Sequence, residues 1–356
     1  MPVLGYIALI AGVVTTLATG LSLVRAKHWV VRIWDFPRFQ IMTLGVIAIA
    51  LLVATRELES PAWIAVTVMT AIAVAWQLAL IWRYTRLAPT EVQSNEVDDP
   101  ARHIGLVVCN VLQTNRDAAR LLMVTREARA DVMLFVETDE WWRERLDALK
   151  GSHPHTVQRA LPNTYGMLLY SRLPLADVAI DFLVESDIPS IQARVTLGCG
   201  VEVWLNCVHP RPPAPGESDD SLGRDAELLV VGRRVADAPM PVIVCGDLND
   251  VAWSRTTRLF QKVSRLVDPR KGRGFFSTFH AKYPGIRFPL DHVFHSDSFR
   301  VVSMRRLDYS GSDHFPICIV LSYEPAAAAE QEAPDADASD HQEASETIAR
   351  GQAEAS

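Results

Sequence analysis

Polar side chains stand where apolar runs end. Asn110 closes IGLVVCN, Glu137 closes DVMLFVE, His209 closes VEVWLNCVH, and Asp247 and Asn249 sit in GDLN directly after PVIVC. Asp291 falls in PLDHVFHS, and Ser312, Asp313 and His314 fall in GSDHFPI, each beside an apolar run that would fix its backbone in a sheet. Singly, each has a plainer reading: Asn and Asp after a strand make turns, a lone histidine is surface or satisfied core, and Glu137 would cap a helix starting at 139. As a set they point to chemistry. Carboxylates with amide oxygens suit a hard cation, Mg²⁺ first and Mn²⁺ second, while two histidines beside carboxylates suit proton transfer and stabilisation of transition-state charge. Hydrolysis of a phosphoester needs both.

The elements that must hold these residues are legible as apolar segments of strand length at 104–111, 131–137, 165–171, 191–197, 201–209, 241–247, 291–295 and 315–322. Between them, 115–129, 139–150, 219–236 and 254–264 read as helix, the first opened by a Thr114/Asp117 pair that resembles a capping box. Strands with intervening helices predict a layered α/β domain over 101–323. No internal repeat is present, so the chemistry falls to this one domain.

The ordered series Asn110, Glu137, the strand ending at His209, GDLN at 246–249, LDHVFHS at 290–296 and GSDHFPI at 311–317 resembles the motif series of the endonuclease/exonuclease/phosphatase superfamily. That superfamily includes pancreatic deoxyribonuclease, apurinic endonucleases, neutral sphingomyelinases and inositol polyphosphate 5-phosphatases. GDLN and GSDH, in this order and spacing, carry most of the specificity. The resemblance implies a four-layer α/β sandwich, with two mixed sheets packed face to face, helices outside and the site at one rim. It implies Glu137 as principal metal carboxylate with Asn110 beside it and Asp313 near the same ion, and His314 on the scissile phosphate with its tautomer fixed by Asp291. Asp247 would orient or deprotonate the attacking water, Asn249 would donate its amide to a phosphate oxygen, and His209 would protonate the leaving group. Asn206, three residues before His209, is a candidate substrate contact or a turn residue. One departure stands out. Some family nucleases carry an acid two residues after the first Asn, where this chain has Leu112, so metal binding would lean on Glu137.

The first quarter of the chain reads differently. Residues 2–24 carry no charge and, at 1.5 Å per residue, reach about 34 Å, enough to cross a hydrocarbon core of about 30 Å. Segments 39–55 and 61–82 follow, the latter bracketed by Trp63, Trp76 and Trp82. Three transmembrane helices within residues 1–87 are expected. The first is not read as a cleaved signal, since it has no basic start and too long an apolar run. Arg25, Lys27, Arg32 and Arg38 against Asp35 in the first loop, and Arg56 against Glu57 and Glu59 in the second, place the first loop inside. The chain would then be an integral protein of the plasma (inner) membrane with a cytoplasmic catalytic domain. Five cysteines, four of them in apolar runs, read as packed thiols.

Residues 88–100 are polar with a proline near each end and read as a flexible linker, and 324–356 read as a disordered acidic tail. Within 325–356 lie eight acidic residues and one Arg, which account for the whole-chain charge of −7 and leave the catalytic region near neutral. A nuclease on duplex DNA would be expected to carry a cationic face. The basic run at 265–274 reads as a solvated loop or a contact with anionic headgroups. Three spans beside the domain favour a lipid phosphate over nucleic acid as the substrate, with the bilayer as partner and HPRPPAPG at 209–216 shaping the rim. Nothing in the sequence calls for an obligate protein partner. A membrane-bound nuclease and a non-catalytic scaffold for phosphorylated ligands are the other readings, the latter disfavoured by the complete acid, base and metal set.

Overall fold

The computed structural model describes residues 2–55 and 60–355. Arg56, Glu57 and Glu59 of the second loop lie outside the described residues. The chain opens with α1 (Pro2–Leu23), a short α2 (Trp29–Arg32), α3 (Arg38–Ala54) and α4 (Pro61–Ile81). There follow β1 (His103–Asn110), α5 (Ala118–Glu127), β2 (Val132–Val136), α6 (Glu140–Leu146), β3 (His155–Arg159), β4 (Met167–Ser171), β5 (Leu175–Asp181), β6 (Ser190–Thr196) and β7 (Glu202–Cys207). The chain finishes with α7 (Leu222–Ala236), β8 (Val242–Asp247), α8 (Arg255–Ser264), β9 (Asp291–His295), β10 (Phe299–Arg306), β11 (Ile317–Tyr323) and α9 (Ala338–Glu354).

Strand alternation builds four layers. One sheet runs β10-β11-β1-β2-β4-β3 and the other β5-β6-β7-β8-β9. The inward residues Leu106 and Val108 of β1 and Leu134 and Val136 of β2 pack on Leu205, Cys207, Ile243, Cys245 and Val293 of the opposite sheet. Each such side chain, fully buried, stabilises the fold by about 1.5–3 kcal/mol. Outward residues of the first sheet, Val107, Cys109 and Phe135, meet Leu121 of α5 and Trp142 of α6. Those of the second, Val244 and Phe294, meet Leu228 and Val231 of α7 and Phe260 of α8. This is the four-layer sandwich expected. Four of the five cysteines are buried and all five are free thiols.

Among the described residues, α1 and α4 are long and apolar enough to cross a membrane, and a third span results if α3 and the bent segment Trp29–Asp35 before it, at 69°, count as one. The end of α1, the start of α3 and the end of α4 all lie against the sandwich: Lys27 Nζ bonds Asp225 Oδ2 at 2.7 Å, Trp253 Nε1 donates to the Asp35 carbonyl at 2.7 Å, and Tyr84 Oη donates to the Ala252 carbonyl at 2.7 Å.

Four expectations need correction. The segment 88–100 is not a free tether: Val92 is fully buried, Asn95 N donates to the Val301 carbonyl at 3.1 Å, and Glu91 pairs with Lys271 at 2.8 Å. Its polar composition hid the fact that these groups have partners. The basic run 265–274 is not wholly a solvated loop, because Arg270 is buried against Asp268 at 2.8 Å and Lys271 is spent on Glu91, whereas Arg265 stays exposed. The tail from 324 is not disordered: α9 opens on a capping box of Asp337 and Asp340 and buries Ala344 and Ile348 against Leu229, Leu259 and Val263. Large apolar residues are scarce in this segment, but one alanine and one isoleucine four apart suffice when the acids are matched, as Asp340 is by Lys262 at 2.7 Å and Glu343 by Arg255. Finally, α5 starts at Ala118 with Asp117 as its cap, accepting from Arg120 N at 3.1 Å, so Thr114 plays no capping part.

Candidate active site

The open end of the layer between the sheets gathers the strand-end polar groups. Asn110 continues the inward series 106, 108 of β1, Asp247 continues 243, 245 of β8, and Asp291 stands in register with Asp247 across the β8–β9 ladder. Gly246 is needed for this approach, since with φ of +152° a Cβ there would lie 1.8 Å from the Val208 carbonyl.

Alternation would send Glu137 outward with Phe135. A φ of +60° turns it back, and the helix that it was able to cap is capped instead by Asp139, which accepts from Trp142 N at 3.0 Å. Glu137 Oε1 thus accepts from Asn110 Nδ2 at 2.7 Å and Oε2 from Gln113 N at 3.2 Å, while the same Asn110 amide donates to Asp247 Oδ2 at 3.0 Å. Asn249, also left-handed at φ +51°, donates its backbone N–H to Asp247 Oδ1 at 2.9 Å and its amide to the Pro210 carbonyl at 3.0 Å. The uncommon backbone angles at these polar residues mark a site where geometry outranks local preference.

His314 sits between two carboxylates, with Nδ1 2.7 Å from Asp291 Oδ2 and Nε2 3.6 Å from Asp247 Oδ2. Burial disfavours its charged form, but Asp291 and Asp247 outweigh that and push it up to about 10. Burial pulls His209 the other way, down to about 4, against the opposing field of Asp247. Its ring packs on Tyr165 with centroids 5.5 Å apart, and its Nδ1 is buried without a partner among the described residues. Burial also raises Asp247, and lifts Glu137 to about 7 against the pull of Asn110 and His314.

A divalent cation fits this donor set. Asp247, Asp291 and His314 offer ligand atoms within 4.8 Å of one another, and Asp291 Oδ1 is buried with no partner among the described residues. Glu137 and Asp313 face the same cavity, so four carboxylates surround one imidazolium, an excess of negative charge that oxygen-seeking cations relieve.

Residues 107–314 match the model of the Endonuclease/Exonuclease/phosphatase family. The chain belongs to that family. Among solved structures of the same fold, an endonuclease/exonuclease/phosphatase from Beutenbergia cavernae has 20% identity and a TM-score of 0.52, with 63% of this chain and 72% of that one covered. D. rerio TDP2 complexed with a single-strand DNA product has 17% identity and a TM-score of 0.52, covering 62% and 99%. The human Nocturnin catalytic domain with bound sulfate has 17% identity and a TM-score of 0.50, covering 64% and 96%. No curated protein sequence matches the chain.

Of the residues expected in this family's site, Asn110, Glu137, Asp247, Asn249, Asp291, Asp313 and His314 are brought together, and His209 lies within electrostatic reach of Asp247 and His314. Asn206 is not among them. It shares the outer face of β7 with Trp204 and Val208, beneath α7, whereas Leu205 and Cys207 face the other sheet. Ser312 was read only as part of the motif, yet its Oγ accepts from His314 N at 3.0 Å and holds that backbone in place.

The largest feature missed lies beside these residues. A cavity of about 800 Å³ is lined by Glu137, Asn249, Asp313 and His314, and its wall comes from Trp29, Arg32, Ile33, Trp34 and Phe36 of the N-terminal helical segment, Pro212, Pro213 and Pro215, and Phe279, Ile286 and Phe288. Phe36 meets Phe288 edge-on at 5.6 Å. Charge alone does not reveal this wall; the signal in the sequence is three aromatic residues, Trp29, Trp34 and Phe36, between the first two apolar helices.

Proposed function

We propose that this family member hydrolyses a phosphoester carried on a lipid, with the bilayer supplying the substrate and Mg²⁺ or Mn²⁺ as the working ion. The observation that carries this reading is the composition of the cavity. Its polar end holds the family's residues, and its wall is apolar and aromatic and built in part from the membrane anchor. A cavity of this kind fits a hydrocarbon-bearing substrate and offers few cationic groups to a polyanionic strand.

Glu137 with Asp313, and Asn110 beside them, would hold the ion, leaving the neighbouring Asp247, Asp291 and His314 cluster to the water and the phosphoryl group, and the ion would supply neutralisation of phosphoryl charge and a more acidic bound water. Asp247 orients the attacking water, and its position is fixed by Asn110 and by the Asn249 N–H. The water oxygen forms a new bond to phosphorus as the ester P–O bond breaks; Asp247 accepts the proton that the water gives up, and the departing oxygen takes one from solvent. His314, steered by Asp291, donates a hydrogen bond to the phosphoryl group, and Asn249 is placed to add a second. His209, kept neutral by burial and lying in the field of Asp247, is assigned to a hydrogen bond on the leaving oxygen.

The charges at 25–38 support a cytoplasmic domain on the plasma (inner) membrane, and the docking of α1, α3 and α4 ends on one sandwich supports an odd number of crossings. The test is turnover by the full chain in nanodiscs with Mg²⁺, on phosphatidyl phosphoesters against abasic and single-stranded DNA. Lipid phosphoesters should be cleaved at least tenfold faster, and EDTA should stop the reaction. Faster cleavage of either DNA overturns the lipid assignment.

A further inference from the structure

A second cavity, of about 510 Å³, lies outside the first, along α3. The two share Gln40 and Gly285. There Gln40 Nε2 donates to the Gly285 carbonyl at 3.1 Å, so a single side-chain to backbone bond lies where the cavities meet. On the anchor side the second cavity is lined by Phe39, Thr43, Leu44 and Ile47, and on the sandwich side by Trp253 and Phe275.

Phe39, Thr43 and Ile47 recur every four residues and therefore form one stripe of α3. From first to last they cover about 12 Å of helix at 1.5 Å per residue. Phe39 is 50% exposed, Leu44 37% and Ile47 51%, in a helix with no charged residue after Arg38. The groove therefore abuts the polar cavity at Gln40 and Gly285 and runs along an exposed apolar face of α3.

We propose that this groove seats the hydrocarbon chain of the substrate, so that the lipid enters sideways from the bilayer and its phosphate reaches His314 while its chain lies along Thr43 and Leu44. The inference rests on the lipid-phosphoester reading of the site and specifies how such a substrate is held. Adjacency decides the occupant: the groove abuts the catalytic cavity at the Gln40–Gly285 bond, which the hydrocarbon chain must part to pass, its other end lies on an apolar helix face, and the polar side chains along α3, Gln40 and Thr43, are already bonded to the Gly285 and Phe39 carbonyls.

The test uses p-nitrophenyl alkyl phosphodiesters, from methyl to dodecyl, below their micelle concentrations, with the full chain in nanodiscs and Mg²⁺. For the native protein, kcat/KM should rise with chain length, by at most about fourfold per methylene, and level off once the groove is filled. Leu44→Trp should lower the octyl-to-methyl ratio of kcat/KM at least tenfold and bring the plateau to shorter chains. Leu44→Ala should move the plateau to longer chains, and methyl ester turnover in each variant reports that it has folded. A ratio unchanged in both folded variants, or a native rate independent of chain length, overturns the groove while leaving the lipid reading standing if phospholipids are still cleaved. Failure of the native chain on every alkyl ester, with DNA cleaved, overturns both.

Discussion

The two ends of the catalytic cavity are built by different means. The polar end is made of strand termini whose positions follow from two hydrogen-bonded sheets: Asn110 and Glu137 close β1 and β2, and Asp247 and Asp291 face each other on β8 and β9. The apolar wall is made of loops and of the anchor, held to the sandwich by Lys27 to Asp225, Asp35 to Trp253 and Phe36 to Phe288. Chemistry is assigned to the rigid part shared with the family, and choice of substrate to the part this chain adds. Changes at one end should therefore act on all substrates alike, and changes at the other should sort them.

The largest effect should come from the polar end. Glu137→Gln keeps the bond to Asn110 and removes a charge, and should lower kcat about 10³-fold or more on methyl and long-chain phosphodiesters equally. Loss confined to long chains would break the division of labour. Next comes the joint between the two regions. Asp225 is buried between Lys27 and Arg224, and although burial opposes its ionisation, these two cations hold it well below the usual carboxylate range. Asp225→Asn should cost about 3 kcal/mol in unfolding measured in detergent, because two cations lose a buried partner. It should also raise KM for long-chain esters more than for the methyl ester.

The smallest effect concerns the scaffold alone. Glu227 on α7 accepts from Ser190 Oγ at 2.9 Å and is otherwise enclosed, and burial raises it from 4.5 to about 8. With the folded value above the unfolded one, its contribution is full below about pH 4.5 and is lost as pH rises through 8. Glu227→Gln should flatten that decline, adding about 1–2 kcal/mol at pH 8.5 relative to the native chain and little at pH 5, with the chain-length profile of turnover unchanged. A stability gain that is the same at both pH values would refute the assignment.

What the sequence disclosed divides along a similar line. The β2 and β8 runs are buried on both faces and stand out as apolar blocks. The strands β3, β5 and β10 lie at sheet edges, where Asp177 and Arg300 to Arg306 interrupt the apolar pattern, and they were not foreseen. The polar site was legible because buried strands give a polar residue at their end few other reasons to be there. Asn206 lies within β7 and away from the other expected residues by strand parity: Leu205 and Cys207 face inward, so 206 cannot. The apolar wall was hidden for a different reason. It depends on contacts between residues far apart in the chain, such as Gln40 with Gly285, which no local pattern reveals.

The stitching of residues 91–95 to Lys271 and Val301 leaves the catalytic centre no slack to swing. With the proposed membrane anchoring, its height above the headgroups would be set by the fold, and the volume it samples would be a thin disc in the plane of the membrane. For an enzyme held in this way the governing variable is the mole fraction of substrate in the leaflet, and diluting the vesicles in buffer leaves each molecule facing the same crowd.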